Sequence, residues 1–130
     1  MKPSNFQFIN PYLEELYFSS NPDFHPDTDI GEVEIQNAFE VHIERKQDEN
    51  RANVELVLAI NTEDEKAPFK LRIKVASDFK WEDLEEEAVK SMLNLNAPAL
   101  LLGYMRPIVA NITNSSIFPA YNVPFVNFKE

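Results

Sequence analysis

The sequence predicts an α+β domain: a four-stranded antiparallel sheet with a long crossover after strand one, covered by a short and a long C-terminal helix. Three observations predict it. Residues 32–75 hold three successive runs in which apolar and polar side chains alternate, each separated from the next by a polar turn. After Asp78 the apolar spacing changes from period two to helical spacing. Strands come first and helices follow, the order expected when helices gather on one face of an antiparallel sheet. The chain has 130 residues, which fits a single domain over 1–130 with a real core.

Residues 6–18 read as the first strand. Phe6, Phe8, Tyr12, Leu16 and Phe18 share one parity, and Ile9, Leu13 and Tyr17 share the other. Pro11 removes a ladder donor, which predicts an edge strand, a bulge or a break. Residues 19–30 carry the Pro, Asn, Asp and Ser of a loop. Phe24 stands alone there, and an isolated ring in a loop pins it to the body more often than it binds a ligand.

Residues 32–45 form the clearest strand, with Val33, Ile35, Phe39, Val41 and Ile43 inward and Glu32, Glu34, Gln36, Glu40, His42 and Glu44 outward. Ala52, Val54, Leu56, Leu58 and Ile60 give the third strand one apolar face. The fourth sets Phe69, Leu71, Ile73 and Val75 inward against Lys70, Arg72 and Lys74 outward. Trp81, Leu84, Ala88, Val89, Met92 and Leu93 then follow helical spacing, behind carboxylates that suit the positive end of a helix dipole. Asn94 to Pro98 is expected to break the chain and restart it. A second helix follows to Asn114, and its apolar residues spread so widely that it needs contacts on more than one side. Residues 117–128 read as an extended tail.

Composition narrows the function. There is no cysteine, which excludes a disulfide framework, a thiolate metal site and a cysteine nucleophile. The formal net charge of −10 disfavours nucleic-acid backbones as partners. The first residues lack the pattern of a signal peptide, and no apolar run is long enough to span a bilayer, so a cytoplasmic protein is expected. Nucleotide-cradling, nucleophile-elbow and zinc-protease motifs are missing, and two glycines leave little material for a phosphate loop. The aspartates around His25 do not fit a calcium loop. No catalytic residue, metal or cofactor is expected. The surplus is in rings: ten Phe, four Tyr and one Trp exceed what one small core readily holds.

The C-terminal third carries a recognisable motif. Ala97-Pro98 opens the helix, Tyr104-Met105-Arg106 sits in its middle, and Phe118-Pro119, Asn122-Val123 and Val126-Asn127-Phe128 close the chain. This resembles SecB, the tetrameric protein-export chaperone family, and the upstream strand order is similar over nearly the whole chain. Gly103, Pro107 and Phe125 stand where the family usually has Pro, Glu and Pro.

The resemblance implies an ATP-independent holdase that binds unfolded polypeptides or preproteins in apolar grooves on a homotetramer, a dimer of dimers packed through the long helices. It implies client contacts at Phe6, Phe8, Tyr12, Leu16, Phe18 and Phe24, and an oligomer interface at Leu101, Tyr104, Met105, Ile108 and Ile112. Burial against the protomer's own sheet or loop is the competing role for each. A dedicated binding module for one partner, such as an antitoxin-type client, is the alternative. Coupling to a SecA-type motor runs, in the family, through a further helix and acidic tail that would lie beyond Glu130.

Overall fold

The computed structural model describes residues 2–25, 34–46 and 48–128. Four strands form one antiparallel sheet: β1 (Phe6–Ser20), β2 (Asn37–Lys46), β3 (Arg51–Ile60) and β4 (Phe69–Trp81), in the order β1-β4-β3-β2. β1 therefore lies beside β4 at one edge, while β2, the next strand in sequence, lies at the other. Among the inward positions read for β2, Val33 lies outside the described residues.

Cross-strand register assigns each side chain to a face. Phe39, Val41 and Ile43 share one face with Leu58, Leu56 and Val54, and these with Ile73, Val75 and Ser77. The helical segment covers this face. Val54, Leu56, Leu58, Leu71, Ile73, Leu101, Met105 and Val109 meet there with no more than 1 % of their surface exposed. The other face carries Glu40, His42, Glu55, Arg72 and Lys74 and is polar. Glu15 binds Arg72 at 2.6 Å and approaches Lys74 at 3.7 Å across it.

Two elements differ from the sequence reading. Trp81, read as the start of helical spacing, is the last residue of β4 and pairs with Phe6. A ring cluster of Phe6, Phe79 and Trp81, with centroids 5.4 and 6.0 Å apart, holds it in the sheet. The guanidinium of Arg45 lies 5.4 Å over the Trp81 ring and makes two hydrogen bonds to Glu86, tying β2 to the start of the first helix. The break expected at Asn94 to Pro98 is also absent. Helix α1 (Glu86–Ser91) passes through a π turn, Met92–Asn96, directly into α2 (Ala97–Asn114), and Ser91, Asn96 and Ala97 all keep right-handed helical angles. A π turn widens the backbone by one residue and rearranges its hydrogen bonds, so Pro98, which donates none, is accommodated without ending the helix.

The tail returns along α2 and is tied at several points. The Thr113 hydroxyl accepts from the Tyr121 amide at 2.8 Å, Arg106 Nε donates to the Val123 carbonyl at 2.8 Å, and Val123 is fully buried. Asn37 Nδ2 donates to the Tyr121 hydroxyl at 2.7 Å, joining the tail to β2.

Asn61 performs a comparable role at the β3–β4 turn. It adopts a left-handed φ of 58° and is 2 % exposed. Its Oδ1 accepts from the Gln36 amide, its Nδ2 donates to the Phe69 carbonyl, and its own amide donates to the Gln36 carbonyl. Replacing it by Ala orphans a buried donor and an acceptor and keeps the backbone strain. Asn61→Ala is expected to cost about 2–4 kcal/mol in urea unfolding. Asn61→Gly should recover about 1 kcal/mol of that. Equal losses for the two variants would remove the strain from the account.

Candidate functional site

The surplus rings gather on β1. Among the described residues this strand has one neighbour, β4, and its outer backbone edge has no pairing strand. Two irregularities interrupt its register, one between Ile9 and Tyr12 and one between Leu13 and Glu15. At the first, Asn10 takes a φ of 47° ahead of Pro11, and the Ser77 hydroxyl donates to the Ile9 carbonyl at 2.8 Å. Of the outcomes expected at Pro11, an edge strand, a bulge or a break, the structure has the first two within one continuous strand.

Each bulge inserts one residue and exchanges the faces of the residues beyond it. Phe6, Phe8, Leu13, Leu16 and Phe18 pair with Trp81, Phe79, Val75, Ile73 and Leu71 and so share the helix-covered side. Ile9, Tyr12 and Tyr17 pair with Asp78, Ala76 and Arg72 on the open side. Tyr12, which has the parity of Phe8 in the sequence, therefore faces the opposite way.

The candidate client residues divide accordingly. Phe8 and Leu16 are exposed along the covered-side rim, and Tyr12 is exposed on the open side. Phe18 is half-buried, stacked on Phe69 at 5.7 Å. Phe6 and Phe24 are core residues, 8 % and 6 % exposed, and offer no free surface in the protomer. Phe6 is held by Phe79 and Trp81, and Phe24 pins its loop edge-on against Phe118 of the tail at 6.4 Å. Leu13 and Tyr17, not counted among the client candidates in the sequence, are also exposed, Leu13 on the covered side and Tyr17 on the open side. Their signal lay in the second parity class of β1.

The helix residues divide in the same way. Leu101 and Met105 are fully buried against the protomer's own sheet and are unavailable to a partner. Ile108 and Ile112 pack partly on the core. Tyr104 is 43 % exposed and meets Phe8 edge-on at 6.5 Å, which joins the outer face of α2 to the rim of β1. The result is a row of exposed apolar side chains, Phe8, Leu13, Leu16 and Tyr104, on one side of this edge, with Tyr12 and Tyr17 on the other.

Nothing in this arrangement assembles a reaction centre. Among the described residues, no group of three or more His, Asp or Glu is placed to hold a metal ion, and no helix is long and apolar enough to cross a membrane. The arrangement is a sheet with one covered face and an apolar edge to which no described strand is added.

Comparison with known proteins places the chain in a family. The chain belongs to the SecB family: the description "Preprotein translocase subunit SecB" matches residues 2–130. The protein-export protein SecB of Anaplasma phagocytophilum is 30 % identical over 132 residues, covering 95 % of this chain and 82 % of that protein. The SecB of Cellvibrio japonicus is 30 % identical over 118 residues, covering 90 % and 70 %. In structure the chain is similar to a SecB-like chaperone of Mycobacterium tuberculosis solved in complex with a ChAD peptide from an antitoxin. That match has a TM-score of 0.74 at 14 % identity and covers 94 % of this chain and 91 % of the other. A protein of unknown function from Streptococcus agalactiae shares the fold at a TM-score of 0.54 and 11 % identity, covering 92 % and 97 %.

One electrostatic feature marks the open side of β1. Glu14, the extra residue of the second bulge, has its carboxyl pKa raised above 4.5 by a hydrogen bond with the Glu55 carboxyl, with desolvation and the like charge adding to the shift. A raised carboxyl pKa means that the folded state holds the proton more tightly than the unfolded chain does. Stability at this site is therefore greatest at acid pH and falls as pH rises from the ordinary carboxylate range through the raised value. Glu14→Gln is expected to raise the thermal midpoint at pH 7 and to leave it unchanged near pH 4. A midpoint that rises equally at both pH values would point to a cause other than charge.

Proposed function

We propose that this protein is a cytosolic, ATP-independent holdase that keeps polypeptides, preproteins among them, extended and unfolded. The observation that carries the reading is the unpaired edge of β1, with large exposed side chains on both of its faces. An extended client satisfies its own backbone groups at such an edge and buries alternate side chains on either side. No nucleotide is needed, because a protein that binds only the unfolded state shifts the equilibrium by mass action.

Self-association is the second part of the proposal. The row of Phe8, Leu13, Leu16 and Tyr104 is apolar and exposed, and its Phe8–Tyr104 contact joins β1 to α2. Burying it between copies gives a homo-oligomer, and the family resemblance favours a dimer of dimers. Tyr12 and Tyr17 then remain for clients. Catalysis forms no part of this reading, since the sequence carries no catalytic constellation.

A dedicated role is the second reading. The Mycobacterium tuberculosis neighbour is a SecB-like chaperone that binds a peptide from an antitoxin. An edge of the same fold in this chain would suit one resident partner as well as many transient ones. Coupling to a SecA-type motor belongs to neither reading as stated.

Light scattering after gel filtration is expected to give about four times the protomer mass of 15.0 kDa. The double variant Phe8→Asp with Tyr104→Asp should return the mass to that of a protomer; a protomer mass for the native chain would end the assembly proposal. Tyr12→Ser with Tyr17→Ser should keep the native mass and weaken client binding about fivefold per ring, the equivalent of about 1 kcal/mol each. Suppression of aggregation should extend to several unrelated unfolded proteins. Protection of a single partner would select the dedicated module, and protection of none would exclude the holdase.

A further inference from the structure

The open face of the sheet holds a feature that client binding does not use. Lys46 of β2 pairs directly with Arg51 of β3, and Arg51 pairs directly with Lys80 of β4. Paired residues share a face, so three cations stand side by side across three strands, with Gln7 of β1 completing the row. Neighbours of this kind lie about 4.5–5.5 Å apart at their Cβ atoms, and like charges directly opposite one another destabilise a sheet. The protein has twelve Lys and Arg against 22 Asp and Glu, so three cations in one row is not an overflow of basic residues.

Among the described residues, no carboxylate closes the row with a hydrogen bond. In the next row, Asp78 takes a hydrogen bond from Asn53 at 3.1 Å and comes only within 3.9 Å of an Arg51 Nη, beyond hydrogen-bond reach. Glu44 is the other carboxylate of that row. Among the described residues Lys46 and Lys80 have no ion pair, and both are exposed. Among the described residues no acceptor reaches Arg51 Nε, which is covered although the Arg51 side chain as a whole is 43 % exposed. An unpartnered covered donor calls for an acceptor that the described side chains do not supply.

We infer that this row is an oxyanion site, taking a phosphate group. The Nε and Nη of a guanidinium form a planar fork that fits two oxygens of one oxyanion, and a lysine on either side supplies the remaining charge. Binding would turn the Arg51 fork from its long approach to Asp78 onto the anion, uncover Nε and cancel the repulsion along the row. The overall charge of −10 does not prevent this, because at physiological salt a charge is screened over about 8 Å, and the row acts on that scale. The same overall charge favours free phosphate over the headgroup phosphate of an anionic bilayer, which would bring a whole negative surface against the protein.

The test tracks the Arg51 Nε–H resonance by NMR on the full chain. Titration with inorganic phosphate should move it saturably, while sodium chloride at matched ionic strength should not. Lys80→Gln and Lys46→Gln, both at exposed positions, should each weaken phosphate binding up to about fivefold. Arg51→Gln should abolish the thermal stabilisation by phosphate. Lys80→Gln should also raise the thermal midpoint in chloride, because it relieves the row. Co-sedimentation with phosphatidylglycerol vesicles separates the sources: no sedimentation alongside saturable phosphate binding identifies the free ion, and sedimentation lost in Lys80→Gln identifies the lipid. Equal shifts in chloride and phosphate, or phosphate binding unchanged in both lysine variants, would overturn the site.

Discussion

The register of β1 on β4 is the constraint on which the rest of the molecule depends. A strand displaced by one residue sends its whole apolar set to the opposite face. Here the displacement is made twice, at Asn10–Pro11 and at Glu14, within one strand. The first shift holds because Ser77 supplies a hydroxyl to the Ile9 carbonyl and Asn10 tolerates a left-handed backbone. Its effect reaches both ends of β1. Phe6 and Phe8 enter the helix-covered side before the bulges, and Leu16 and Phe18 return to it after them. The edge therefore carries apolar surface on two sides while the core keeps its ring clusters.

Around that edge the fold is tied by side-chain hydrogen bonds as much as by ladders. Asn61 gathers the start of β2, the end of β3 and the start of β4. Thr113 and Arg106 hold a tail that has no ladder of its own. Arg45 links β2, the Trp81 ring and the first helix. Each of these groups is polar and satisfies backbone or charge that an element or the tail leaves open. Away from the tail's Ile117 and Phe125, the large exposed apolar side chains lie on β1 and on α2 beside it.

Much of this is legible in the sequence, and the exceptions have physical causes. Strands β2 to β4 alternate over most of their length, with Val57, Ala59, Ala76 and Ser77 as exceptions, because one face is covered and the other is largely wet. Their inward residues are read correctly wherever the structure describes them. Strand β1 carries apolar residues in both parities, so alternation cannot say where a bulge lies, and it groups Tyr12 with Phe8 although the two face opposite ways. Trp81 fits a helical spacing by coincidence, and its place in β4 is decided by stacking with Phe6, which is remote in sequence. The π turn before Pro98 looks like a break because proline usually marks one; a local widening of the helix leaves no signature in residue type. The interface residues divide for a similar reason. Leu101, Tyr104, Met105, Ile108 and Ile112 are all apolar on a helix that is apolar nearly all round, and only packing separates the buried Met105 from the exposed Tyr104. The family motif in the tail indicates kinship, and the ties of the tail to Thr113 and Arg106 show that its residues anchor the end of the chain to the body.

The two bulges have one more consequence, which concerns what this edge refuses. A long, flat, apolar edge is a template for unlimited addition of further strands and hence for fibres. An edge that twists and changes face within a few residues offers only short straight runs. It can receive a partner shaped to its breaks and cannot pass its pattern on to a third chain beyond that partner. The irregularity that makes β1 hard to read thus acts as a stop, letting a sticky strand stay on the surface of a highly charged protein without becoming the seed of its own aggregation.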